Sequence, residues 1–362
     1  MLPSIRELFL VFLKLGATGF GGPLALVAAM DKEIVARRSW VSRESFDEGF
    51  VYCKLLPGPI AYQMALWLGL QIRGRIGGLV AGFAFLAPAW ITILILSVFY
   101  QELKHTTQVQ PIVEGFRIGA LVIIFESLIR MCIPYQRQLR AWLFIAVAMG
   151  LMWVMPRWEP LIILSGGFAM WFAKRSKAHE LLGVSLVTVS LLSQLFWVHF
   201  IAGATVFGTG LAIIPFLERA VALHGWMSQA EFLDAISLGQ ITPGPLTIAS
   251  VFVGFRVAGF PGAFSAGAGM YFPGLVLVLV LLPAIREKMR RAKGLVYFQD
   301  GAIPMVIGCV LAATLWLSRS TLVTSRAVVL SLLLAFIVWR TRISGWLVIP
   351  LGALLNWLAV FL

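Results

Sequence analysis

Apolar residues come in long blocks along this chain and do not alternate with polar ones. Runs at about 8–30, 50–70, 78–100, 112–133, 141–155, 160–173, 195–217, 232–254, 262–283, 300–318, 325–339 and 343–361 are separated by short connectors that hold most of the charge. A helix needs about 20 predominantly apolar residues to cross a bilayer core, and most of these runs approach that length. The pattern predicts an all-α polytopic membrane protein. Two connectors, 31–48 and 218–234, are amphipathic and read as interfacial helices, with Trp40 and Trp226 at headgroup level.

The runs fall into six plus six, and the second six repeat the first. GATGFGGPLA from Gly16 matches GATVFGTGLA from Gly203 at an offset of 187, with seven of ten residues identical. Trp40, Ser42 and Phe46 match Trp226, Ser228 and Phe232 at 186, and Glu114-Gly115 matches Asp300-Gly301 at the same offset. Offsets this steady indicate duplication and fusion. The expected division is a first repeat over 1–173, a linker over 174–194 and a second repeat over 195–362. The linker turns apolar after Leu181, which leaves room for an extra helix.

Composition agrees with a membrane protein and excludes other classes. Of 362 residues, 60% are apolar and 12% charged, too apolar for a soluble domain of this length. A net charge of +13 would suit a nucleic-acid binder, but the basic residues sit in the connectors, as the positive-inside rule requires of a membrane protein. Cys53, Cys132 and Cys309 lie in apolar runs without CxxC spacing and read as free thiols. His105, His179, His199 and His224 are scattered, and HExxH, GxSxG and Walker A patterns are absent. No enzyme activity, cofactor or metal is expected. The first run contains Lys14 and no A-x-A site, so no cleavable signal peptide is expected.

One feature breaks the apolar blocks twice at matching places. Lys54-Leu-Leu-Pro57-Gly58-Pro59 recurs as Gln240-Ile-Thr-Pro243-Gly244-Pro245 at an offset of 186. Two prolines remove two backbone donors and push the residue before each out of the helical region. In hydrocarbon such a break survives only where protein or water covers it. Paired breaks of this kind mark the binding site of a transporter built from repeats. The expected architecture is therefore two inverted-topology repeats with broken or re-entrant helices at the Pro-Gly-Pro motifs.

Charge counting supports the inversion. If the Pro-Gly-Pro run enters and leaves on one side, each half makes five crossings and the second half is inverted. One face then receives eighteen basic residues, among them Lys32, Arg37, Arg38, Arg43, Arg73 and Arg75, and the other receives seven. The richer face is assigned to the cytoplasm, which puts the N-terminus outside.

Pro59 and Pro245 can each start a helix whose first-turn N–H groups are unsatisfied and carry about half a positive charge. Two such ends would form an oxyanion site made mainly of backbone. The expected substrate-binding residues are Lys54, Pro57, Gly58, Pro59, Tyr62 and Gln63 with Gln240, Thr242, Pro243, Gly244, Pro245 and Thr247. The alternative is a pair of structural kinks. Phe20, Gly21, Gly22 and Pro23, and their counterparts Phe207, Gly208, Thr209 and Gly210, are secondary helix-break candidates, explained as well by close packing. Lys54, the sole cation at either motif, either attracts the anion or locks a carboxylate. Glu114 with Arg117 and Glu126 with Arg130, at i,i+3 and i,i+4, read as neutralised helix-face pairs.

FGGP, RRSWVSRESFDEG and LLPGP in the first half, with FGTGLAIIP, GWMSQAEFLD and LGQITPGP in the second, resemble the chromate transporter family in its long, two-domain form. The resemblance covers nearly the whole chain. It implies secondary transport of chromate across the cell inner membrane by a multi-pass protein, usually outward and linked to the proton motive force, which confers chromate resistance. Sulfate is a related substrate, and the implied partners are that anion, the lipid bilayer and, as one assembly, a homodimer, with no nucleic acid. Two departures bear on the substrate: Lys54 stands where a glutamine is common, and FGTG where FGGG is common. An oxyanion channel and a membrane protein without flux are the alternative functions.

Overall fold

A computed structural model describes residues 3–104, 106–155, 158–173, 190–207, 210–291, 294–341 and 343–361. Among the described residues the chain is helical and contains no strand. The first half contains α1 (Ile5–Ala17), α2 (Pro23–Met30), α3 (Arg43–Leu55), α4 (Ile60–Leu103), α5 (Gln110–Cys132), α6 (Leu139–Val154) and α7 (Glu159–Ala173). The second contains α8 (Leu191–Thr205), α9 (Ile213–His224), α10 (Gln229–Ile241), α11 (Ala249–Val276), α12 (Leu282–Arg291), α13 (Gly294–Thr321), α14 (Ser325–Thr341) and α15 (Gly345–Phe361). The segment read as linker lies outside the described residues up to 189, and α8 begins within its last part.

Helical hairpins dominate each half. Ser42 caps α3 by accepting from the Ser45 amide at 3.2 Å. Ser228 caps α10 in a full capping box with Glu231. Both helices stop at the Pro-Gly-Pro motifs because the residue before the first proline is extended: Leu56 at φ −81°, ψ 147° and Thr242 at φ −79°, ψ 134°. The chain then turns back. Trp67 on α4 donates to the Ser45 carbonyl at 3.0 Å, so α3 and the first part of α4 lie antiparallel. α4 breaks at Arg73-Gly74, where Gly74 has φ 66°, and α11 breaks at Ala258-Gly259, where Gly259 has φ 59°. Each hairpin arm has about 13 residues, about 20 Å, which falls short of a ~30 Å hydrocarbon core.

The run 8–30 also turns back. Arg38 pairs with Glu7 at 2.8 Å, so α1 and the stretch from α2 through the π-helical turn Asp31–Arg37 run antiparallel, with Gly19–Gly22 at the tip. The break expected at Phe20–Pro23 is present, and it reverses the chain: Gly19, Gly21, Gly22 and Pro23 end one helix and start another, so the run does not make the single crossing used in the charge count. The start of α1 consequently shares a face with Arg38 and Arg73, whose Nε donates to the Pro3 carbonyl at 2.7 Å. The sequence expectation had put the N-terminus on the opposite face from these arginines. The connector expectation is corrected too. Asp234 and Glu218 are buried, and residues 229–234 form the first turns of a hairpin arm.

The halves interlock by reciprocal contacts. α7 packs on α13, and its counterpart α15 packs on α5. Gly166 abuts the Gly301 backbone, and Gly352 abuts Gly115, leaving no room for a Cβ. Each half thus packs its last helix against a helix of the other, α15 against α5 and α7 against α13.

Candidate functional site

The two Pro-Gly-Pro tips and the two glycine-rich tips meet at one place. Pro23, Gly58, Pro59, Ile60, Ala61, Gly210, Pro245, Leu246 and Thr247 line a cavity of about 10 Å³, room for about one water molecule. Four helix starts converge on it: α2 at Pro23, α4 at Ile60, the 3-10 turn Gly210–Ala212 that runs into α9, and the 3-10 turn Leu246–Ile248 that runs into α11. Gly22, Pro59 and Pro245 stand at the N-cap positions and supply no side-chain cap. First-turn N–H groups such as those of Ile60, Ala61 and Leu246 therefore remain available to an anion. The prolines sit one position earlier than expected, as caps rather than first helical residues.

The glycine amides are not among these free donors. Gly58 donates to the Val206 carbonyl at 2.8 Å, and Gly244 donates to the Gly19 carbonyl at 2.7 Å. Each Pro-Gly-Pro tip is pinned to the glycine-rich tip of the other half. This arrangement needs the left-handed region, with φ at 132° for Gly58 and 109° for Gly244.

The remaining sequence candidates surround this point at different depths. Gln63 is fully buried, and its Nε2 donates to the Pro57 carbonyl at 2.6 Å, bracing the tip. Its Oε1 has no partner among the described residues. The Tyr62 ring meets the Tyr271 ring edge-on, and the Tyr271 hydroxyl lies 3.0 Å from Thr247 Oγ1. Thr242 donates to the Leu238 carbonyl at 2.7 Å and so ends α10 rather than facing the cavity. The Gln240 Nε2 is a buried donor without a partner among the described residues. Lys54 is on the last turn of α3, exposed, with its carbonyl accepting from Gln299 Nε2 at 2.6 Å; its ammonium pairs with no carboxylate among the described residues. Phe20 packs on Trp346 and Phe207 on Phe298, away from the cavity, while Gly21 and Gly22 are exposed at the α1–α2 tip. Gly208 and Thr209 lie outside the described residues.

Two polar clusters tie the halves together. Arg117 grips Asp234 with both Nε and Nη2, at 2.6 and 2.7 Å, and the Tyr100 hydroxyl donates to the same carboxylate at 2.6 Å. Asp234 is 2% exposed. Glu114 pairs not with Arg117 but with Arg326 at 3.0 Å, which corrects the i,i+3 expectation; the expected pair of Glu126 with Arg130 is present. Arg117 points across the interface because the buried carboxylate there offers a bidentate partner in a dry environment. The second cluster joins Glu48 to Arg286, with Nε to Oε1 at 3.0 Å, and to Tyr52 at 2.7 Å. Glu48 and Asp234 are repeat counterparts at an offset of 186, as are Tyr100 and Arg286. Near the first cluster, Lys104 at the end of α4 and Arg256 both reach Glu231, at 2.8 and 2.9 Å. These clusters were legible in one respect only: each acid occupies the same place in the duplicated connector.

The chain is similar to proteins of one kind. It is 33% identical over 88% of its length, and 86% of the relative's, to a probable chromate transport protein of Synechococcus elongatus. It is 29% identical over 98% of its length, and 93% of the relative's, to the chromate transport protein of Cupriavidus metallidurans. A chromate transport protein of Pseudomonas aeruginosa is 28% identical over 98% of the chain and 92% of its own length. No solved structure matches it. The chromate transporter family model matches twice, over residues 6–171 and 193–357, and both matches contain one glycine-rich tip and one Pro-Gly-Pro tip at the shared cavity: the chain is a multi-pass membrane protein of the chromate transporter family.

Proposed function

We propose that this protein carries chromate across the membrane by exposing the cavity between its four helix starts alternately to either side. The observation that carries the reading is the convergence of uncapped helix N-termini from both halves on one buried point. About half a positive charge at each end suits a dianion, and backbone donors suit a tetrahedral oxyanion. Chromate is the anion that the relatives' names support. Sulfate, of like charge and shape, is the competitor to test, and efflux is the direction in keeping with resistance.

The repeats, 1–173 and 195–362, are read here as opposed in topology, the arrangement that such a carrier uses. Glu231, on the first turn of α10, pairs with Lys104 at the far end of α4, and Glu48 on α3 pairs with Arg286 at the far end of the second half's long helix. The base of each hairpin pair thus lies beside the distal end of the other half's long helix, as inverted repeats require. The two clusters act as locks at opposite ends. The cavity between them, at about 10 Å³, must widen to admit a tetrahedral oxyanion.

Counterflow tests the carrier against a channel. Proteoliposomes preloaded with unlabelled chromate should take up labelled chromate faster than empty ones, with saturation, and sulfate should compete. Uptake indifferent to preloading and linear in concentration would identify a channel, and no uptake under any condition would remove the transport reading.

A further inference from the structure

We propose that Glu159 and Glu218 form a proton-binding site, with the proton resident on Glu159. Glu159 stands on the first turn of α7 and is 2% exposed, and neither carboxyl oxygen has a hydrogen-bond partner among the described residues. Its electrostatic neighbour is Glu218 on α9, itself 4% exposed. Glu218 does have a donor: Gln229 Nε2, at 2.9 Å.

The other titratable or charged groups facing the pair are few. Cys309 on α13 lies within electrostatic range of Glu159, and Arg219 lies within range of Glu218 without forming an ion pair among the described residues. No cation reaches Glu159 within ion-pair distance among the described residues. The α7 N-terminus favours a negative charge. The cost of an unpaired buried carboxylate is larger, so burial outweighs the dipole and the proton stays. Two neighbouring carboxyls, one with a donor and one with none, divide the roles: Glu218 holds the charge and Glu159 the proton.

The site has a path to the cavity. α9 follows directly on the 3-10 turn Gly210–Ala212, whose first residue lines the cavity, and α7 packs against α9. Loss of the proton would set a second negative charge against Glu218 in a dry interior. A shift of α9 that relieved this repulsion would also move the turn at Gly210. The link from this proton to anion movement rests on the transport reading above.

Infrared difference spectroscopy of the purified protein tests the site without transport. The carbonyl band of a buried protonated carboxyl should be present at neutral pH, absent in Glu159→Gln and retained in Glu218→Gln. An unchanged band in Glu159→Gln overturns the proposal. Glutamine is the neutral isostere of the protonated acid, so the melting temperature of Glu159→Gln should match wild type; a variant that fails to fold overturns the proposal as well. In proteoliposomes, Glu159→Gln should keep chromate counterflow and lose accumulation driven by a pH gradient. Accumulation that survives in the variant defeats the coupling role. If wild type itself shows no counterflow, the transport reading fails while the infrared result still decides the proton site.

Discussion

The Gly58 amide donates to the Val206 carbonyl across the two halves at 2.8 Å, and the counterpart bond, Gly244 to Gly19, is 2.7 Å. Val206 and Gly19 are themselves counterparts at an offset of 187, so the pair forms one reciprocal clasp. It satisfies backbone groups that would otherwise be orphaned at membrane depth, and it fixes the spacing of the four helix starts.

The clasp depends on glycine. Gly58→Ala and Gly244→Ala should each lose about 1–3 kcal/mol through backbone strain at positive φ. Gly58→Ala should be the worse, because a Cβ there collides with the Gln63 side chain, whereas at Gly244 it meets the Ala89 Cβ at 3.1 Å. Thermal melting in detergent checks both. Equal, wild-type melting temperatures would show that the tips relax freely, and the clasp would then have no structural weight.

Much of this clasp was legible in the sequence. The Pro-Gly-Pro duplication located both tips, because a pre-proline residue cannot stay helical and only glycine takes the turn. The glycine-rich breaks were legible as breaks, but their place at the cavity was not, since packing glycines and ligand glycines look alike. The cross-half partners were hidden. Arg117 has an acidic neighbour at i−3, so local spacing favours a helix-face pair; only the packing of α10 on α5 brings Asp234 to it. At Glu159 the sequence shows only an acid before Pro160, and nothing local tells that its surroundings are dry.

The Arg117–Asp234 pair should show strong coupling. Arg117→Ala and Asp234→Ala each leave a buried, unpaired charge and should cost about 3–5 kcal/mol. The double variant should cost far less than their sum, because it leaves no stranded charge. A double-mutant cycle on denaturation midpoints measures this. Additive effects would mean that the two side chains are independent in the membrane.

Orientation is open to direct labelling. Ser42 and Ser228 are exposed N-caps at equivalent places in the two halves. Cysteines placed there, in a background without Cys53, Cys132 and Cys309, should react with an impermeant thiol reagent from opposite sides, Ser42→Cys from the cytoplasm. Loss of a cap costs about 1 kcal/mol, which the fold should tolerate. Labelling of both from one side would defeat the inverted arrangement.

Lys54 tests how the anion arrives. It stands three residues before Pro57, near a tip that lies deep in the protein, yet its side chain is exposed. An ammonium is costly to set against lipid, so Lys54 is expected to face water on the approach to the tip. Lys54 does not line the cavity, and four helix ends of about half a charge each already balance a dianion. Its contribution is therefore attraction over a distance rather than a direct bond. Lys54→Gln should slow chromate uptake at low salt, by roughly 2–5-fold, about 1 kcal/mol or less, and the difference should fade as ionic strength rises and the Debye length falls to about 8 Å and below. The melting temperature should not move, because Lys54 has no carboxylate partner among the described residues. Uptake measured against salt, with melting on the same preparation, separates the cases. A loss beyond tenfold that persists at high salt would mean that Lys54 touches the bound anion.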